Sequence, residues 1–340
     1  MSALMPEEHV ADSANDAAGD AYAIRSFLVA TDLSAEARLA VDRVALLSAQ
    51  LGTAMTLLHV DKPTSEREPE TRFAPLKPEA TWPEHRRLNL LAHELTAAHR
   101  IEVGAATRRG DVCEQILLMS KTADVLAMAS KRRNPLHRLI FGSIPGRLVD
   151  RCRKPVLVVK RAPREAYRRV LVLTDFSTSS INAAELAACI APAAELHLFH
   201  AIDLRDETEM RFAEIPDSVI RKQRLKRRAA AQVRMDLALE SIDVPSSRLT
   251  HGFGHGRVVP LALLKQQALD SDLLVVARRI RPAAKSFLFW SIARRLSDDC
   301  PCDVLVVPTE DAEGVNRRSA TAACPPTADV RAAGTGNACS

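Results

Sequence analysis

Phe27-Leu28-Val29-Ala30-Thr31-Asp32-Leu33-Ser34 returns in the second half of the chain as Val170-Leu171-Val172-Leu173-Thr174-Asp175-Phe176-Ser177. Each copy is a short apolar run without polar alternation, the pattern of a strand buried on both faces of a parallel sheet, and each closes on a Ser placed to cap a helix. The similarity extends outward from this motif. Leu57-Leu58-His59-Val60 is echoed within Leu196-His197-Leu198-Phe199-His200-Ala201. Asp150-Arg151-Cys152 ahead of Val156-Leu157-Val158-Val159 is echoed by Asp298-Asp299-Cys300 ahead of Val304-Leu305-Val306-Val307. The order is the same in both halves, at separations of about 141 to 148 residues, and such a long internal period signals duplication of one structural unit.

Apolar runs at 124–129, 155–160, 272–277 and 302–307 supply further buried strands. Helical patterns lie between them. Ser34 is placed as an N-cap, Ala37, Val41, Val44 and Ala45 share one face, and Gly52 follows as a stop. In the second copy Ser177 caps, with Ala184, Ala187 and Ala188 on the equivalent face. Strands alternating with helices make a βαβ series, hence an α/β fold with a mostly parallel sheet and right-handed crossovers. A chain of 340 residues has room for two such domains. The expected organisation is a disordered N-terminus over 1–22, a first domain over 23–161, a linker over 162–167, a second domain over 168–309 and a disordered C-terminal tail over 310–340. Residues 62–83, rich in proline and charge, read as a long mobile loop within the first domain.

Composition removes several functional classes. A net charge of +5, from 47 basic and 42 acidic side chains, is too near balance to point to nucleic acid, and 4% aromatic residues leave no stacking platform for single strands. The seven cysteines lack disulfide-scaffold spacing, as expected in a reducing compartment. The acidic, Ala-rich start does not resemble a signal peptide, and no stretch reaches the roughly 18 uninterrupted apolar residues of a membrane span. A cytoplasmic, soluble protein without a membrane partner is expected.

A first strand ending in Thr-Asp-x-Ser, a second ending in a Leu-x-His segment, an Asp-led apolar fourth strand, a Gly-Ser-opened helix and a terminal Val-Leu-Val-Val strand together resemble the universal stress protein family, over about 23 to 161 and again over 168 to 309. The resemblance implies two tandem doubly wound, Rossmann-like domains, each a five-stranded parallel sheet flanked by helices. Terminal strands pair in dimers of that family. For a tandem chain this implies an intramolecular pseudo-dimer joined through 155–160 and 302–307, with a homodimer as a further assembly, and unpaired strand edges give a physical reason for such pairing.

One branch of the family binds ATP through a Gly-x2-Gly-x9-Gly-Ser/Thr loop after the fourth strand. Its glycines let backbone N–H groups approach phosphate, and the Ser/Thr opens a helix whose N-terminus favours anions. The pattern maps onto Ala129, Arg132, Gly142 and Ser143 in the first domain and onto Ala277, Ile280, Trp290 and Ser291 in the second. Only Gly142, Ser143 and Ser291 match it, and Trp290 stands where a bare backbone is needed. Lys131, Arg132 and Arg133 in one loop, and Arg278, Arg279 and Arg281 in the other, either hold phosphate by charge or form a solvated basic face. By resemblance Thr31 and Asp32 contact the adenosine end, with Val60 on the same side, although an Asp at the end of a strand is equally a turn or capping residue. The candidate nucleotide site is therefore Thr31, Asp32, Val60, Lys131, Arg132, Gly142 and Ser143. ATP in the first domain is the one candidate cofactor, and none is expected in the second.

Other constellations carry less. His251-Gly252-Phe253-Gly254-His255-Gly256 looks like a nucleotidylyl transferase signature but follows a third strand rather than a first, so it reads as a glycine-rich turn, with His251 and His255 as the alternative ligand contacts. Cys300-Pro301-Cys302 has no second cysteine pair at metal-site spacing and reads as core packing beside a redox alternative. The basic run from Arg221 to Arg228 reads as a solvated helix face rather than a surface for RNA or anionic lipid. No catalytic triad, carboxylate pair or metal-ligand set is legible. The sequence points to a non-catalytic stress-response protein with degraded nucleotide loops and an unidentified protein partner; a nucleotide-dependent switch acting through the first domain is the alternative.

Overall fold

Both copies of the opening motif end a strand and start a helix. In the computed structural model, which describes residues 24–61, 83–130, 144–203, 213–279 and 292–309, the apolar runs become β1 (Ser26–Ala30) and β6 (Arg169–Leu173). Ser34 and Ser177 cap α1 (Ala35–Leu51) and α5 (Thr178–Ile190): the Ser34 hydroxyl accepts from Ala37 N at 3.2 Å and the Ser177 hydroxyl from Ser180 N at 3.3 Å. Gly52 ends α1 at φ 66°, the left-handed conformation that favours glycine.

The first half continues through β2 (Ala54–Asp61), α2 (Pro83–His99), β3 (Val103–Arg109), α3 (Val112–Met119), β4 (Val125–Ala129), α4 (Ile144–Arg151) and β5 (Val156–Val159). The second repeats the series with β7 (Glu195–Ile202), α6 (Asp217–Ser241), β8 (Leu249–His255), α7 (Val258–Leu269), β9 (Leu273–Arg279), α8 (Ile292–Asp299) and β10 (Asp303–Thr309). Pro83, assigned from sequence to the loop, is instead the first residue of α2, a position where its missing N–H has no helical partner to lose. The rest of that loop, and both chain ends expected to be disordered, lie outside the described residues.

The strands form one ten-stranded sheet in the order β3-β2-β1-β4-β5-β10-β9-β6-β7-β8. Every pairing inside a half is parallel, whereas β5 and β10 meet antiparallel in the register Val156↔Val306, Leu157↔Leu305, Val158↔Val304. The pairing expected of 155–160 with 302–307 is thus present, and it covers the edge that β5 and β10 would otherwise expose, leaving β3 and β8 at the ends of the sheet. Because strand side chains alternate in direction, Phe27 and Val29 enter one core with α1, α2, α5 and α6, while Leu28 enters another with α3, α4, α7 and α8. Both cores run across both halves.

A carboxylate ahead of the fourth strand fastens the start of the first in each half. Asp124 Oδ2 accepts from Arg25 N at 2.9 Å and Ser26 N at 3.1 Å; Asp272 Oδ2 accepts from Arg168 N at 2.9 Å and Arg169 N at 3.0 Å. The sequence showed these residues only as the polar leaders of apolar runs.

Candidate nucleotide site and the junction of the halves

The parallel register Ala30↔Leu58 brings the carboxyl ends of β1 and β2 side by side, so Thr31, Asp32 and Val60 lie along one edge of the first half. Thr31 is buried at 7% exposure; its N–H donates to Leu58 O at 2.9 Å and its hydroxyl accepts from Leu33 N at 3.0 Å. That bond holds Leu33 at φ 59°. Asp32 Oδ1 accepts from Ser34 N at 3.1 Å and from Ser34 Oγ at 2.5 Å, an Asx turn leading into α1. His59 Nδ1 lies 3.0 Å from Thr31 O; since a carbonyl only accepts, that nitrogen carries the proton.

The second half reproduces this turn bond for bond. Thr174 Oγ1 accepts from Phe176 N at 3.0 Å with Phe176 at φ 64°, Asp175 Oδ1 accepts from Ser177 N at 3.0 Å and from the Ser177 hydroxyl, and His200 Nδ1 donates to Thr174 O at 2.8 Å. The surroundings differ. In the first half a cavity of about 260 Å³ opens beside the turn, lined by Thr31, Ser34, Arg38, Arg87 and Leu91 among others. In the second, Phe176 lies 4.3 Å from the His200 ring, and Arg234 of α6 sits 4.8 Å over Phe176 while donating to Asp175 O at 3.4 Å.

Of the remaining candidates, Lys131, Arg132, Gly142 and Ser143 lie outside the described residues, as do Arg133, Ile280, Arg281, Trp290 and Ser291. Arg278, offered by the sequence as a phosphate-loop cation, is buried at 8% and turned inward: Nη1 donates to Asp150 O at 3.0 Å and Nη2 to Cys152 O at 2.6 Å. It caps the carboxyl end of α4, where the helix dipole favours positive charge. Lys160 makes the reciprocal contact, its Nζ donating to Cys300 O at 2.5 Å beyond α8, and burial lowers its pKa.

The His-Gly run is a strand rather than a turn: residues 251–255 belong to β8, and only Gly256, at φ 139°, takes the turn conformation. Its glycines answer rings on β7. A Cβ on Gly252 would lie 2.9 Å from His197 Nε2, and one on Gly254 2.7 Å from Phe199 Cζ. His197 is pushed down to about 4, first by burial and then by Lys265 and His251. In the basic run Arg221, Lys222, Arg224, Lys226 and Arg228 are exposed, as a solvated face requires, while Ile220, Ala231, Met235 and Ala238 bury the other side of α6. Among the described residues no group of three or more His, Cys, Asp or Glu is placed to hold a metal ion, and no helix is long and apolar enough to cross a membrane.

Sequence reading missed a buried polar cluster where the halves meet. Asp303, 1% exposed at the head of β10, accepts from Tyr167 Oη at 2.7 Å, Arg43 Nε at 3.2 Å, Lys160 N at 2.8 Å and Arg161 N at 3.3 Å. The Arg43 guanidinium lies 4.3 Å over the Tyr167 ring and donates to Glu165 O at 2.8 Å. The segment between the repeats is therefore pinned by a buried Tyr, and burial raises the Tyr167 pKa well above its ordinary value. The available signal was an acid opening an otherwise apolar strand.

Two doubly wound halves sharing one sheet, with the same polar turn at the end of each first strand, define a tandem Rossmann-like protein. A model of the universal stress protein family matches residues 23–160 and again 166–308, and the chain belongs to that family. Among solved structures, a universal stress protein from Archaeoglobus fulgidus DSM 4304 aligns at 18% identity over 85% of this chain and 97% of its own, with a TM-score of 0.59. A functionally unknown protein from Pseudomonas aeruginosa PAO1 aligns at 20% identity over 84% of this chain and 93% of its own, also at 0.59. At these identities the likeness shows the fold. No curated protein matches.

Proposed function

We propose that this chain is a non-catalytic, cytoplasmic stress-response protein that works by binding, its domains over 23–161 and 168–309 forming an internal pseudo-dimer that presents its surface to a protein partner. The observation that carries this reading is the fate of the repeated polar motif: Asp32 accepts from its own turn just as Asp175 does in the half whose loop holds Trp290. The same residues serve helix capping in both places, so their presence does not require a ligand. Ala129 ends β4 at the first glycine position of the ATP loop, and a Cβ there narrows the approach of phosphate to the backbone. Titration calorimetry of the whole chain with ATP tests the reading. Absence of heat at micromolar ligand supports it; micromolar binding abolished by Asp32→Ala overturns it.

A nucleotide switch in the first domain is the second reading, favoured by the cavity beside Thr31 and Ser34 with Arg38 and Arg87 at its wall. Its ligand set would be Thr31, Asp32, Val60, Lys131, Arg132, Gly142 and Ser143, with ATP as cofactor. Arg38 already bonds Asp42 at 2.6 Å and Glu94 at 2.9 Å, which blunts its attraction for phosphate.

A further inference from the structure

Cys300 and Cys302 are both buried, at 2% and 0% exposure, and their sulfurs lie 3.4 Å apart. The chain bends at 301–302 between the end of α8 and the start of β10, which lets two side chains separated by one residue converge. Cys152, which aligns with Cys300, has no such neighbour among the described residues, because Lys154 stands where the second half has Cys302; its thiol contacts Ser120 Oγ at 3.6 Å instead. The pair is thus particular to the second half and is not required by the packing that both halves share.

We propose that Cys300 and Cys302 form a hydroperoxide-reactive dithiol that closes to a disulfide. Two further features suit the thiols to this chemistry. The hydrogen bond between the two sulfurs holds the Cys300 thiol down to about 7, with Lys160 and Arg161 adding to the effect, while the same bond and burial push Cys302 up. Cys302 Sγ lies 3.4 Å from Asp303 O, an acceptor that keeps its proton, while Lys160 and Arg161 favour negative charge on the Cys300 sulfur, which makes Cys300 the thiolate and Cys302 the resolving thiol. The Cys300 sulfur attacks one oxygen of hydrogen peroxide, the O–O bond breaks, and the departing hydroxide takes a proton to leave as water, giving a sulfenic acid. The Cys302 sulfur then attacks the Cys300 sulfur, the S–O bond breaks, and hydroxide leaves with the Cys302 proton as a second water. Two thiols and one peroxide thus yield one disulfide and two waters. Sulfurs already in contact need to close only to about 2.05 Å. The site adjoins Asp303, whose carbonyl lies 3.4 Å from Cys302 Sγ, so an oxidant signal would be delivered at the seam between the halves. It does not depend on whether a nucleotide binds.

The test is hydrogen peroxide treatment of the folded full-length chain, followed by denaturing alkylation, digestion and mass spectrometry. The expected product is a peptide carrying residues 300–302 that is about 2 Da lighter, takes up no alkylating group, and takes up two after reduction. Cys302→Ser should leave Cys300 as a sulfenic acid trapped by dimedone, and Cys300→Ser should abolish trapping at this site. The proposal is overturned if both thiols stay fully alkylatable at a dose that oxidises the half-buried Cys189, or if the disulfide maps to another pair. The wild-type measurement decides on its own if either variant fails to fold.

Discussion

The two halves share a fold and a turn but differ where they touch. In the first, Arg43 of α1 reaches the seam, and its equivalent in α5 is Leu186, buried at 2%. In the second, Asp303 opens β10, and its equivalent ahead of β5 is Pro155. Lys160, whose N–H bonds Asp303, has Pro308 as counterpart, which has no N–H to give. One side of the pseudo-twofold seam is therefore a hydrogen-bonded ionic cluster and the other is apolar. Such a difference fixes which half plays which role, because exchanging them would bury a charge against leucine and proline.

The largest effect should come from breaking that cluster. Asp303→Ala leaves Arg43 buried without its carboxylate, and the expected loss is about 3–5 kcal/mol in urea unfolding, with the midpoint falling and the slope unchanged. A loss near zero would mean that the seam is held by its apolar strands alone. Next is the contrast between β3 and β8. Gly254→Ala places a methyl 2.7 Å from the Phe199 ring, and an overpacking loss of about 1–3 kcal/mol is expected; in the double variant with Phe199→Leu, which copies Leu58 of the first half, most of it should disappear. Smaller still, Ser34→Ala and Ser177→Ala should each cost about 1 kcal/mol, nearly equally and additively, since both caps make the same bonds. Unequal losses would show that one turn does more than cap its helix.

The last contrast is a pH dependence belonging to the second half. His197 has its folded pKa depressed to about 4 from 6.5, so the unfolded chain binds more protons between those values. Its contribution to stability is complete above about pH 6.5 and is lost as pH falls toward 4. His197→Gln should flatten part of that slope in urea unfolding followed from pH 7 to pH 4; its first-half counterpart, Thr56, cannot titrate there.

Much of this was legible in one dimension. The repeated apolar runs require strands buried on both faces, and Ser34, Gly52 and Ser177 act through their own local backbone, so β1, α1, β6 and α5 followed from periodicity and capping. The motif Thr-Asp-x-Ser was legible as a feature but not as a role, because a turn and a ligand contact use the same carboxylate. Arg278 read as a surface cation for the same reason: a charge run in a loop does not reveal that one member folds inward onto a helix terminus from the other half.

What the sequence determined by itself is the duplicated βαβ module and the apolar character of the last strand of each copy, since both are written in short stretches of neighbouring residues. What only the tertiary structure decided is the meeting of residues far apart in sequence: Arg43 with Asp303, Arg278 with Cys152, Lys160 with Cys300. Those partners come together because β5 and β10 pair antiparallel, and no local pattern encodes the depth at which a charged side chain will find its counter-charge.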